Sequence, residues 1–174
     1  DRARLYYLCP VNCYNSSMRR YYQHEFPYFV TTNTKFLRKA GLFENIEVAA
    51  IIADVLRSLE PLYDFDLYAF VIMPNHVHIL LKTNEQGSTI SQIMQKFKSL
   101  SYHRLRANYG IREKFWQKSF YETIKNTPEL FYTALAYMKQ NPLRWNLPDV
   151  YEKYPYLYVN NQKIENYWRH KENT

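Results

Sequence analysis

The sequence predicts an α+β domain of the ferredoxin-like (RRM-like) kind, in which helices pack on a largely antiparallel sheet. Three observations predict it. Apolar residues alternate in some segments and recur at three- and four-residue steps in others, in the order strand, helix, strand, strand, helix, strand, helix. The 174 residues suffice for one core but not for two ordinary domains. Hydrophobic residues at 47% and charged residues at 22% are globular proportions.

Each element has its own warrant. Residues 26–34, FPYFVTTNT, are aromatic and β-branched, which suits a first strand. Val48, Ile52, Val55, Leu56, Leu59 and Leu62 form one helical stripe over residues 46–63, with Pro61 in the last turn. FDLYAFVIMP alternates around Leu67, Ala69 and Val71; a turn signal follows at Pro74-Asn75, and HVHILLK resumes a period of two, so a hairpin is expected. Ser88 is expected to cap a helix reaching about Asn108, with Ile90, Ile93, Met94, Phe97, Leu100 and Leu105 inward and Gly110 stopping it. Residues 115–124, FWQKSFYETI, read as a fourth strand of imperfect alternation. Thr127 caps the last major helix, Pro128 takes its first position, and Asn141-Pro142 is expected to end it. An irregular Tyr- and Pro-rich tail should follow, and no repeat or linker is visible.

Composition narrows the function classes. The net charge of +7 and pI of about 9.3 attract polyanions, so nucleic acid is the favoured partner class, although a basic surface also serves solubility. Aromatic residues at 18%, eighteen of them tyrosines by count, suit stacking on unpaired bases or an aromatic core equally. Three glycines exclude a phosphate-cradling loop or a dinucleotide fingerprint. No apolar run approaches the roughly 18 residues that span a bilayer, so a soluble protein with no membrane partner is expected. Cys9 and Cys13, in CPVNC, support neither a disulfide framework nor a zinc ribbon, and a cytoplasmic location is expected. Residues 1–17 lack a signal-peptide layout and Met18 is a candidate start, so residues 1–18 are expected to be an extension before one catalytic domain at 19–174.

His76 and His78, two apart on a strand, leave the same face and can converge on one cation, or they can be a structural pair. The residues after them, Ile79, Leu80 and Leu81, exclude the His-x-His-x-Asp-His run of metallo-hydrolases, and the scarcity of glycine speaks against a cupin-type site. Tyr137 and Asn141 lie four apart on a helix and share a face; Tyr137 is then either a reactive phenol or a core side chain. Lys96, Lys98, Arg104 and Arg106 on the second helix, and Arg19 and Arg20 before the first strand, are candidate phosphate contacts or merely solvated charges.

Four segments in order carry a family resemblance. MPNHVHILLK, residues 73–82, resembles the histidine-hydrophobic-histidine (HUH) motif of single-strand DNA nucleases. RRYYQHEFPYFVTTNT, FWQKSFYETIKNTPEL and AYMKQNPLRW resemble the opening strand, the approach to the nucleophile helix and the Tyr-x-x-x-Asn-Pro ending of the REP-associated tyrosine transposases and their insertion-sequence relatives. The likeness runs from Arg19 to Trp145. It implies that His76 and His78 ligate a divalent ion, magnesium or manganese, with Asn141 as candidate third ligand where several relatives carry Gln. It further implies that Tyr137 attacks single-stranded or hairpin DNA to form a 5′-phosphotyrosine, in a monomer or homodimer. Because a free phenol ionises near pH 10, that attack needs a metal or a base nearby, and the sequence names no base. The alternative is a non-catalytic single-strand binder using an RRM-like sheet, although the glycine-and-aromatic strand of such platforms is missing. A third possibility keeps the nuclease but gives it a host role in processing repeated palindromes.

Overall fold

The structure is a computed structural model that describes residues 24–35 and 41–172. Arg19, Arg20, the two cysteines and Met18 lie outside the described residues. The elements are β1 (Tyr28–Asn33), α1 (Ile46–Tyr63), β2 (Phe65–Met73), β3 (His76–Thr83), α2 (Ile90–Tyr109), β4 (Tyr121–Ile124), α3 (Pro128–Arg144), β5 (Leu157–Val159) and α4 (Asn161–Glu172). The sheet order is β4-β1-β3-β2-β5, antiparallel at every pairing. The first four strands and two helices make the expected ferredoxin-like βαββαβ unit, and β5 extends its β2 edge.

Both faces of this sheet are covered. Val30, Phe70, Ile72, Val77, Ile79 and Leu81 pack under α1 and α2 with Val48, Ile52, Leu56, Ile93, Met94 and Phe97. On the opposite face Phe29, Tyr68, Ala69, Val71, Met73 and Leu80 meet Phe131, Ala134, Leu135 and Met138 of α3 and Ile164 of α4. The open aromatic sheet that a stacking platform needs is therefore taken up by α3 and α4. The tail after Trp145 is ordered: the spacing of Ile164, Tyr167 and Trp168 is that of a helix lying on the sheet, and all three pack into the second layer.

Local chemistry explains several boundaries, some of them different from the sequence expectation. Asn45 caps α1 by accepting from the Glu47 and Val48 amides, a contribution of about 1 kcal/mol. Leu62, placed in the α1 stripe from spacing, is 73% exposed because it sits in the last turn, beyond the edge of the core. Thr89, not Ser88, caps α2, since Thr89 and Gln92 close a reciprocal capping box; Gly110 ends the helix at φ 65°, as expected for glycine. The simple alternation expected in β2 breaks between Leu67 and Ala69, where a bulge sends Tyr68 and Ala69 to the same layer and Leu67 to the other.

The expected fourth strand shortens to β4 because Phe115 and Trp116 are spent on the first core, with Trp116 Nε1 donating to Ser101 Oγ. Pro142 does not stop α3, which runs on to Arg144; in the last turn a missing N–H costs one bond, and the Trp145 amide closes onto the Asn141 and Pro142 carbonyls. No described helix is long and apolar enough to cross a membrane.

Candidate active site

The site grows out of the alternation of β3. His76, His78 and Leu80 face α3 and α4, while Val77, Ile79 and Leu81 face α1 and α2. The two imidazoles stand with ring centres 4.7 Å apart, and both are buried. Each has its Nδ1 occupied. Asn75 Oδ1 lies 2.8 Å from His76 Nδ1, and an amide oxygen only accepts, so Nδ1 carries the proton and Nε2 the lone pair. Thr31 Oγ1 lies 2.8 Å from His78 Nδ1 across the β1-β3 register, and His78 Nε2 is buried without any partner.

Burial pushes His76 down to about 4; burial, and then the neighbouring His76, hold His78 well below the usual histidine range. Both rings are therefore neutral at pH 7, with ring nitrogens open to a Lewis acid. The turn beneath them is also fixed. A side chain at Gly41 would come within 2.3 Å of Pro74, and the Phe43 and Thr34 amides donate to the Pro74 and Asn75 carbonyls. Glycine at 41 thus lets one segment clamp the turn that carries the Asn75 partner of His76.

α3 brings the rest. Tyr137 is half-buried, with its ring 5.5 Å from that of His78 and 6.1 Å from Phe29, which itself stacks on His78 at 5.0 Å. The Arg144 guanidinium lies 5.6 Å from the Tyr137 ring centre, and Arg144 donates to Gln140 Oε1. Trp145 stands 5.6 Å from His76. Tyr137, Asn141, Arg144, Trp145 and Asn146 line a cleft of about 230 Å³. Asn141 is 1% exposed, and its Nδ2 has no partner; a half-turn of the amide would present the oxygen instead. Thus His76, His78 and Tyr137, chosen from sequence, meet within one chain, and Asn141 shares a cleft with Tyr137.

These groups fit a divalent ion: two neutral imidazoles with Nδ1 anchored, one of them with a buried Nε2 lacking any partner, plus an amide with spare valence. Among the described residues no third His, Cys, Asp or Glu joins them. A divalent ion held by these groups alone would keep positions open for further oxygen ligands.

The basic residues of α2 do not converge here. Lys96, Lys98, Arg104 and Arg106 belong to a helix on the other face of the sheet, and Lys98 donates to the Gln117, Lys118 and Ser119 carbonyls at 2.9, 3.2 and 2.8 Å. Burial lowers Lys98 to about 8. Lys98 pins the chain entering β4. Arg144 and Lys125 instead lie against rings that touch His78, 5.6 Å from the Tyr137 ring centre and 5.7 Å from that of Phe29. Arg144 was open to discovery, since it follows Tyr137 by seven residues on one helix. Thr31 and Phe29 carried no such signal, because only the β1-β3 register places them.

A sheet-borne histidine pair thus faces a helix-borne tyrosine on a ferredoxin-like core, and the comparisons with known proteins supply the family. The family model described as Transposase IS200 like matches residues 15–130, more than half of the chain, which therefore belongs to the IS200-like transposase family. That match ends before Tyr137 and Asn141, whose placement rests on the geometry above. Over 103 residues the chain is 27% identical to an uncharacterised protein of Haemophilus influenzae, covering 47% of this chain and 57% of that protein, so it spans little more than half the length of that relative.

The structure of a REP-associated tyrosine transposase bound to a REP hairpin is similar at a TM-score of 0.66 and 19% identity, over 84% of this chain and 82% of that one. A crystal structure from Deinococcus radiodurans, described as that of a candidate transposase, gives 0.50 and 22% over 66% and 88%. At such identities the likeness is one of fold.

Proposed function

We propose that this protein cleaves single-stranded DNA beside a hairpin and transfers the cut strand, with Tyr137 as nucleophile. The observation that carries the reading is the Tyr137 ring 5.5 Å from the buried His78, whose Nε2 has no protein partner. His76 and His78 would hold a divalent ion, magnesium or manganese, with Asn141 as third ligand; two imidazoles suit manganese better than magnesium. Bound there, the ion supplies Lewis-acid polarisation of an oxygen on the scissile phosphate.

The chain's own groups do the rest. Tyr137 Oη forms a bond to phosphorus as the bond from phosphorus to the 3′-oxygen of the preceding nucleotide breaks. The phenol gives up its proton and the departing 3′-oxygen takes one up, leaving a 5′-phosphotyrosine and a free 3′-hydroxyl. Attack by a different 3′-hydroxyl reverses the step, joins a new strand and frees Tyr137, so no ATP is consumed. Phe29 and His78 meet the phenol ring edge-on, and the Arg144 guanidinium lies 5.6 Å from the centre of the same ring. The similarity to a transposase solved with a REP hairpin supports hairpin DNA as substrate.

The test is a denaturing gel with a hairpin oligonucleotide carrying single-stranded flanks, in magnesium or manganese. A covalent protein-DNA adduct is expected with the wild type, and none with Tyr137→Phe or with chelator present. An equal yield of adduct from Tyr137→Phe would overturn the assignment.

A further inference from the structure

Trp145 is the tryptophan that the fold leaves in solvent. The chain has three: Trp116 is 6% exposed in the first core, Trp168 on α4 packs against Phe131 with its Nε1 buried, and Trp145 is 51% exposed. Its backbone is nevertheless fixed. The Trp145 amide closes onto the Asn141 and Pro142 carbonyls, Asn146 turns the chain at φ 51°, and the Leu147 amide returns to Pro142. The indole meets His76 at 5.6 Å and an interplanar angle of 53°, and about half of the residue stays open to solvent. The cleft next to it holds the Arg144 guanidinium and the Asn141 amide.

We propose that Trp145 and Arg144 form a holding site for one unpaired DNA base next to the cleaved phosphate, the indole stacking on the base and the guanidinium taking its phosphate. The inference rests on the cleavage reading above and adds to it the nucleotide that the enzyme grips. An open π-face invites any planar partner; the neighbouring cation and the excess of positive charge select one that is anionic. At about 230 Å³ the cleft has room for a single base. In a duplex both faces of each base are already stacked, which leaves an unpaired base as the ligand. The contact between Trp145 and His76 sets that base within a nucleotide's reach of the histidines.

The measurement is intrinsic tryptophan fluorescence of the Tyr137→Phe protein, titrated with oligo(dT) and, separately, with a blunt-ended, fully paired two-strand duplex. Oligo(dT) is expected to quench the emission and the duplex to leave it unchanged. In the same background Trp145→Leu should remove the quenching and weaken oligo(dT) binding about tenfold, the scale of losing one base-aromatic stack. Trp145→Phe, which keeps a ring against His76, should also remove the quenching but bind within about threefold of its parent. Quenching that survives Trp145→Leu, equal quenching by the fully paired duplex, or equal affinity of the Leu and Phe variants overturns the proposal. Because Tyr137→Phe has no nucleophile, the two readings fail separately. Adduct formation without quenching sinks the base site alone, and quenching without any wild-type adduct sinks the cleavage reading alone.

Discussion

Val77, Ile79 and Leu81 and their alternate neighbours His76, His78 and Leu80 share one strand yet belong to different environments. Under α1 and α2 the sheet meets aliphatic side chains, Phe43, Phe97 and Trp116, and the buried Trp116 and Ser101 side chains bond to each other. Under α3 and α4 fewer residues are buried and more polar atoms are left over, among them His78 Nε2, Asn141 Nδ2, Tyr68 Oη and Trp168 Nε1, against Thr32 Oγ1 on the first face. A polar group buried without a partner costs about 1–3 kcal/mol, so the second layer gives up stability that the first supplies. The difference teaches that a period of two is enough to keep stability on one face of a strand and chemistry on the other.

That division can be broken at single positions. The largest effect is expected from His78→Ala, which should lower adduct formation about a thousandfold, the scale of several kcal/mol of charge stabilisation, while its urea midpoint stays at or above that of the wild type. Ile79→Ala, one residue away on the other face, should do the reverse: a loss of about 2–5 kcal/mol by urea denaturation, with metal affinity kept in the fraction that folds. A large loss of stability in His78→Ala, or of metal affinity in folded Ile79→Ala, would show that the faces are coupled.

Two smaller changes sharpen the comparison. Thr31→Val removes the partner of His78 Nδ1 at nearly constant shape and should weaken manganese binding about 10–100-fold by calorimetry, with little change in melting temperature. Unchanged affinity would mean that His78 is oriented by Phe29 and packing alone. Lys98→Met leaves the Gln117, Lys118 and Ser119 carbonyls to water, and should cost about 1 kcal/mol of stability while DNA affinity is unaltered. A shallower salt dependence of DNA binding in that variant would return Lys98 to the phosphate contacts.

How much of the site could be read in advance follows from the range of the interactions. His76 with His78, and Tyr137 with Asn141, are short-range pairs whose shared faces follow from the strand and helix repeats. Trp145 and Arg144 lay inside the AYMKQNPLRW segment but gave no cue to their exposure. The bulge at Leu67/Ala69 was hidden because an unbroken apolar run looks the same with or without one extra residue. Phe115 and Trp116 fitted a strand by composition, and packing under α2 claimed them instead.

The sequence by itself determined the order of the elements as far as α3, the ferredoxin-like class, the two histidines on one face and the tyrosine on a capped helix. Those are local consequences of backbone periodicity and capping chemistry. Only the tertiary structure decided that α3 and α4 cover the second face, that Tyr137 meets His78, that Thr31 anchors His78, and that Lys98 is held by loop carbonyls far from the histidines. Each depends on which strand lies beside which and which face a helix takes. Those choices are set by burial of the whole apolar surface at once, which no single segment encodes.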